Sequence, residues 1–195
     1  MVMDFYYSPG ATPIDQDEAI GLIPKHITTQ IQLNVWEEAN IVSAYRWAFQ
    51  QNKRDLLQES FVRDLHRKMF DKTWLWAGTF RSSNKNIGVD SSQIAIRLHD
   101  VLANTRYQLT HKVFPADELA VRFHHQLVVV HAFANGNGRH ARLMADVLIA
   151  QLGGNRFTWG QESLTEASCA RDDYLTALRA ADCGNPEPLM RFARA

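Results

Sequence analysis

The feature that most constrains this chain is the run His131-Ala132-Phe133-Ala134-Asn135-Gly136-Asn137-Gly138-Arg139-His140-Ala141-Arg142, set between two apolar helical patterns. The first pattern closes with Leu127-Val128-Val129-Val130, and the second opens on Arg139 and runs to Leu152. Glycines at 136 and 138 admit φ > 0 and let backbone N–H groups converge on an anion. The helix that follows adds unpaired N–H groups and the positive end of its dipole. Arg139 and Arg142 are three residues apart, so they share a helix face and can reach one phosphate chain together. The stretch reads as a phosphate cradle with an imidazole at its mouth.

The second helix carries apolar residues on two sides, Ala141, Met144, Ala145 and Leu148 with Leu143, Val147 and Ala150. A helix apolar over most of its circumference is buried, which places the cradle on the rigid middle of the domain. Charge adds nothing global, because 21 basic residues balance 21 acidic ones. No field of one sign recruits nucleic acid or an anionic membrane, so no nucleic-acid contact is implied. No apolar stretch approaches the roughly 18 residues that span a bilayer, and the N-terminus lacks the pattern of a secretory signal. Cys169 and Cys183 are too few for a disulfide framework. A soluble protein in a reducing, cytoplasmic compartment is the expectation.

Along the chain, residues 1–30 read as an N-terminal arm packed on the domain, broken by Pro9, Pro13 and Pro24. Residues 31–195 read as one domain. Helical spacing is expected from Leu33 to Phe49, from near Ser60 through Met69, from Gln93 to Tyr107, and from Pro115 to the motif. Gly153-Gly154 ends the motif helix, and Phe157-Thr158-Trp159-Gly160 follows as an aromatic loop. The segments from Ala167 to Ala181 and from Pro186 to Phe192 complete the helices. Between them Thr79 to Asp90 changes character, with β-branched and aromatic residues flanking a polar centre, and reads as a hairpin or an extended loop. The fold class is all-α, a helical bundle with one small β-hairpin. His124, His125 and His131 lack the spacing and the further ligand of a zinc site.

The motif resembles the signature of the Fic (Fic/Doc) family, His-Pro-Phe-x-(Asp/Glu)-Gly-Asn-Gly-Arg-x-x-Arg. His131, Phe133, Gly136, Asn137, Gly138, Arg139 and Arg142 match, whereas Ala132 stands for proline and Asn135 for the acidic residue that helps hold Mg²⁺. From about Pro13 to the C-terminus the chain resembles the mobile mystery protein B type of Fic protein. The resemblance implies transfer of AMP from ATP to a Ser, Thr or Tyr hydroxyl of a target protein, with His131 as general base. Imidazole suits that role, since its unperturbed pKa of ~6.5 leaves a neutral base near pH 7. Gly136, Asn137, Gly138, Arg139 and Arg142 would hold the phosphates, and Phe133 would anchor the loop. Glycine at 138, where the Doc branch has lysine, favours nucleotidyl over phosphoryl transfer.

Further expectations follow from the same resemblance. Thr79, Asn84, Lys85, Asn86, Ile87 and Gly88 would belong to a flap that holds the target by strand addition, against the plainer reading of a surface hairpin. Phe157 and Trp159 would line an adenine slot or serve the core. Glu38, in Asn34-Val35-Trp36-Glu37-Glu38-Ala39-Asn40, approximates an inhibitory glutamate, against the plainer reading of a solvated helix face. ATP is the implied substrate and Mg²⁺ the implied metal, with Asn135 in its ligand position. An amide oxygen brings no negative charge, so the alternatives are a nucleotide-binding regulatory module, or a toxin controlled by a separate antitoxin with weak or altered transfer.

Overall fold

A computed structural model describes residues 15–51, 54–160 and 167–195 of the chain. Eight helices are described: α1 (Gln16–Ile20), α2 (Gln30–Phe49), α3 (Glu59–Phe70), α4 (Ile94–Thr110), α5 (Ala116–Val130), α6 (Asn137–Gln151), α7 (Ala167–Asp182) and α8 (Glu187–Arg194). The all-α expectation holds. The flap differs from a hairpin, because residues 82–88 make no backbone–backbone hydrogen bond among the described residues. One antiparallel bridge, Phe80 with Phe133, ties its base to the motif loop.

Local chemistry sets the boundaries. α2 starts three residues before its first expected apolar position because Thr29 and Gln32 form a capping box, each side chain bonded to the other's backbone. α3 begins at Glu59 behind Gln58, which makes no side-chain cap bond, so Ser60 lies inside the helix rather than capping it. Acidic Asp117 and Glu118 occupy the first turn of α5, where the helix dipole favours them. At its other end α8 is pinned to α5 by a two-pronged Arg194–Asp117 pair, Nε to Oδ2 at 2.7 Å and Nη2 to Oδ1 at 2.5 Å.

α5 and α6 pack most extensively, and α2 lies along α3. The core between them is apolar and aromatic, with Phe61, Leu65, Met69, Phe123, Phe133 and Met144 all at most 1% exposed. Residues 1–14 of the expected arm lie outside the described residues. From Asp15 the chain packs on the domain. Leu22 and Ile27 enter the core, Trp76 Nε1 donates to the Glu18 carbonyl, and Lys85 of the flap pairs with Asp15 and Glu18 at 2.7 and 2.6 Å. Among the described residues no helix is long and apolar enough to cross a membrane, and no cluster of metal-ligating side chains forms.

Three histidines sit inside this core. His66, His124 and His140 are buried and held neutral, burial pushing their pKa values down, to about 3 for His124 and about 4 for His140. The unfolded chain binds protons at these sites from about pH 6.5 downward, whereas the folded chain does not. Their stabilising effect is therefore complete above about pH 6.5 and is lost as pH falls toward their folded values. Asp146 opposes this, since burial raises its carboxyl to about 6 and its protonation favours the fold on acidification. Three histidines outweigh one carboxyl, so the thermal midpoint should be lower at about pH 4.5 than at about pH 7. A midpoint that stays level or rises in scanning calorimetry would contradict this balance.

Candidate active site

The turn from α5 to α6 is built from two left-handed residues. His131 ends α5 with φ 51° and ψ 56°, and Gly136 caps α6 with φ 78°. A left-handed conformation is strained for a residue with a Cβ, so surrounding contacts must hold His131 there. Asn137 supplies one. Its Oδ1 accepts from Phe133 N at 2.9 Å and its Nδ2 donates to Phe133 O at 2.8 Å. The side chain expected to line phosphates is thus buried and closes the loop. Phe133 fills the space beneath, stacked on the His66 ring at 3.7 Å.

His66 supports the loop from α3. Gly78 N donates to its Nδ1, so the proton resides on Nε2, which donates to Asn135 O at 3.0 Å. One neutral imidazole therefore joins the base of the flap to the motif loop. Gly136 meets α3 closely enough that an added Cβ would lie 2.4 Å from Phe70 Cζ. Gly138 has ordinary room, the nearest atom to an added Cβ being the Tyr174 hydroxyl at 3.7 Å.

The two arginines differ. Arg142 lies over the Tyr174 ring at 5.4 Å and reaches Gly138 O at 3.4 Å, with burial lowering its pKa. Arg139 is held by a carboxylate, its Nη1 lying 2.7 Å from Glu37 Oε2. The other oxygen of Glu37 accepts from Trp74 Nε1 at 2.7 Å. Sequence reasoning weighed Glu38 as an inhibitory glutamate against a solvated helix face; the structure leaves Glu38 exposed, while Glu37 is only 4% exposed. The partner is Arg139, the first motif arginine, rather than the second. Helical spacing carried the signal, since Glu37 shares the buried stripe of Leu33, Asn40 and Ala44, and Glu38 lies about 100° away.

Asn135 does not fit a metal site. Its Oδ1 faces Arg139 Nη2 at 3.4 Å, so a guanidinium stands where a cation would have to approach. Phe157 and Trp159 are each 7% exposed. Trp159 donates to Asp146 at 3.0 Å and packs on His124 at 4.6 Å, while Arg194 lies 4.2 Å over Phe157. Both side chains are packed in the core.

His131 itself is 5% exposed. Burial first, then the charges of Arg81 and Lys85, lower its pKa to about 4. It is a neutral base at pH 7. Of the expected flap residues, Gly88 comes nearest to it, an added Cβ lying 2.5 Å from His131 Cβ. Asn84 closes the flap on itself through Asp90 and Ser91 N, and Lys85 is drawn to α1. Thr79 N bonds Trp76 O at the base, and Ile87 is exposed at 44%. Sequence reasoning missed Arg81, His66, Glu37 and Tyr174. For His66 the signal was its spacing with Val62 and Met69 on the buried face of α3.

The Fic/DOC family profile matches residues 56–149, a span that contains α3, the flap, α4, α5 and nearly all of α6. A Fic/DOC family assignment is supported over those residues. Protein adenylyltransferase fic-1 of Caenorhabditis elegans is 25% identical over 136 residues, which cover 67% of this chain and 25% of that protein. The chain thus spans about a quarter of the length of the curated relatives it matches. Among solved structures, BepC of Bartonella tribocorum with bound AMPPNP superposes with a TM-score of 0.70 at 18% identity, covering 92% of this chain and 97% of that one. A Fic domain of Bartonella quintana with bound ADP gives 0.68 at 19% identity, covering 87% and 86%. These likenesses establish the Fic fold for the chain.

Gly136→Ala tests the turn. Positive φ and the Phe70 ring together should cost about 2 kcal/mol or more. Denaturant unfolding that shows no loss would mean that the loop rearranges freely.

Proposed function

We propose that this chain is a protein adenylyltransferase that moves AMP from ATP to a Ser, Thr or Tyr hydroxyl of a target protein. The observation that carries the reading is the turn itself: a neutral imidazole immediately precedes a helix N-terminus that carries two arginines. In the step proposed, the target oxygen attacks the α-phosphorus and the bond to the β-phosphate bridging oxygen breaks. Pyrophosphate leaves with that electron pair, and the hydroxyl proton passes to His131. The N–H groups at the start of α6 and the Arg139 and Arg142 guanidinium groups offset the charge that grows on the leaving group. No step is routed through a metal, because Asn135 does not fit one. The flap, whose residues 82–88 make no backbone–backbone hydrogen bond among the described residues, suits an extended target segment held by main-chain bonds.

Two named relatives support the reading at family level, a protein adenylyltransferase by name and a structure with bound AMPPNP. The test is incubation with α-phosphate-labelled ATP. Label should appear on protein with the parent and be lost with His131→Ala at unchanged fold. Equal labelling by both would remove His131 from the chemistry. A second reading, a nucleotide binder with weak or altered transfer, is favoured by Asn135 facing Arg139. It gives ATP binding without label.

Regulation is proposed at Glu37 rather than Glu38. Glu37 occupies the Arg139 guanidinium that a phosphate would otherwise engage, so ATP must displace a carboxylate from it. Glu37→Gln keeps the size and an acceptor for Trp74 while removing the charge. ATP affinity by calorimetry should then rise about tenfold, the equivalent of one charge-assisted bond, and Glu38→Gln should leave it unchanged. Equal effects from the two variants, or none from Glu37→Gln, would end this assignment.

A further inference from the structure

Arg81 is buried at 4% exposure, yet its bonded partners are carbonyl oxygens and no carboxylate. Nε donates to His131 O at 2.7 Å, Nη1 to Ser83 O at 2.8 Å, and Nη2 to Val89 O. Asp90 and Glu18 act on it only through space, and burial lowers its pKa. A buried charge is costly unless its hydrogen-bonding capacity is met, and an apolar residue would pack here more cheaply. What the guanidinium provides is convergence. Its planar fork joins the first limb of the flap at Ser83, the last limb at Val89, and the left-handed end of α5 at His131.

Three further contacts close the same junction. Arg81 N donates to Ala132 O at 3.0 Å, Phe80 bridges Phe133, and Gly88 lies so close that a side chain there would collide with His131 Cβ and press on Arg81 Nη2. Residues 82–88 make no backbone–backbone hydrogen bond among the described residues, and the Arg81 fork ties both limbs directly to the His131 carbonyl. Lys85, the other flap cation facing His131, is committed to Asp15 and Glu18 on the outer side.

We propose that Arg81 is a positioning residue that locks both limbs of the flap to the His131 end of α5. The target backbone and the base that takes its proton are then held as one rigid unit. The proposal rests on the reading of His131 as the base. It goes beyond that reading in assigning alignment of base and target to a residue that touches neither ATP nor the transferred group. Transfer depends on sub-ångström alignment, and a displacement of about 1 Å can lower a rate by about a hundredfold. Burial is the first cause of the low His131 pKa, and Arg81 adds to it, because a cation bonded to the histidine's own carbonyl disfavours the imidazolium.

The test uses the full chain, the parent with Arg81→Gln and Arg81→Lys, each labelled for NMR, alongside kinetics of label transfer from α-labelled ATP. Among the groups that act on the His131 ring are Arg81 and Lys85 from the flap and the Val128 backbone from α5. In Arg81→Gln the His131 ring midpoint should move upward from about 4, and the amide signals of 82–89 and 131–134 should shift together. Arg81→Lys should keep the low midpoint, because the charge remains. It should still shift both sets of amides, because the fork is gone, and it remains informative if the Gln variant does not fold. Both variants should show kcat lower by about a hundredfold with KM for ATP unchanged. Unmoved His131 signals in both variants, or flap signals that shift without those of 131–134, would overturn the proposal. A parent that binds ATP without transferring label would sink the enzymatic reading instead, and the NMR comparison would still decide whether Arg81 couples the two segments.

Discussion

The reversal between α5 and α6 is the constraint on which the rest of the site depends. It requires His131 to sit at φ 51°, a conformation that costs a residue with a Cβ about 1–3 kcal/mol. Asn137 offsets this with two buried hydrogen bonds to Phe133, each worth about 0.5–1.5 kcal/mol net. His66 adds a third at Asn135 O, and Arg81 a fourth at His131 O. The strained residue is thus over-determined from α3, the flap and α6. Such a residue is rigid, and rigidity is what a base needs if it is to meet one hydroxyl in one geometry.

The groups at the turn have the chemistry to hold an anion. The start of α6 presents its N–H groups, Arg142 is backed by an aromatic ring, and Arg139 is held by Glu37. A half-buried arginine is stabilised by a counter-charge, which Glu37 supplies to Arg139, and under the proposed function that carboxylate would compete with the nucleotide for the same guanidinium. Glu37 is itself fixed by Trp74 Nε1. On that proposal the competition is between two defined geometries, and the bonding of a single carboxylate decides between them.

Much of this was legible in the sequence. The helices follow from apolar spacing and from Pro and Gly placement, and the cradle from a motif whose glycines and arginines have fixed offsets. What the sequence hid depends on direction and distance. Asn137 looked like a phosphate ligand because amides serve that purpose, yet its side chain turns back to Phe133. Glu38 looked like the brake because a linear pattern placed it there, whereas helix phase turns Glu37 inward. Phe157 and Trp159 could line an adenine slot or serve the core, and Asp146, His124 and Arg194 hold them in the core. Arg81 stood in plain view within the flap. Its importance rests on three carbonyls that converge from positions 83, 89 and 131, which no local pattern reports.

The most direct test of the account is a crystal structure with a non-hydrolysable ATP analogue. The account predicts the β- and γ-phosphates at the N-terminus of α6 between Arg139 and Arg142, the Glu37–Arg139 pair opened, and the α-phosphate turned toward the His131 imidazole. A phosphate chain seated elsewhere, or one bound at α6 with the α-phosphate turned away from His131, would contradict it.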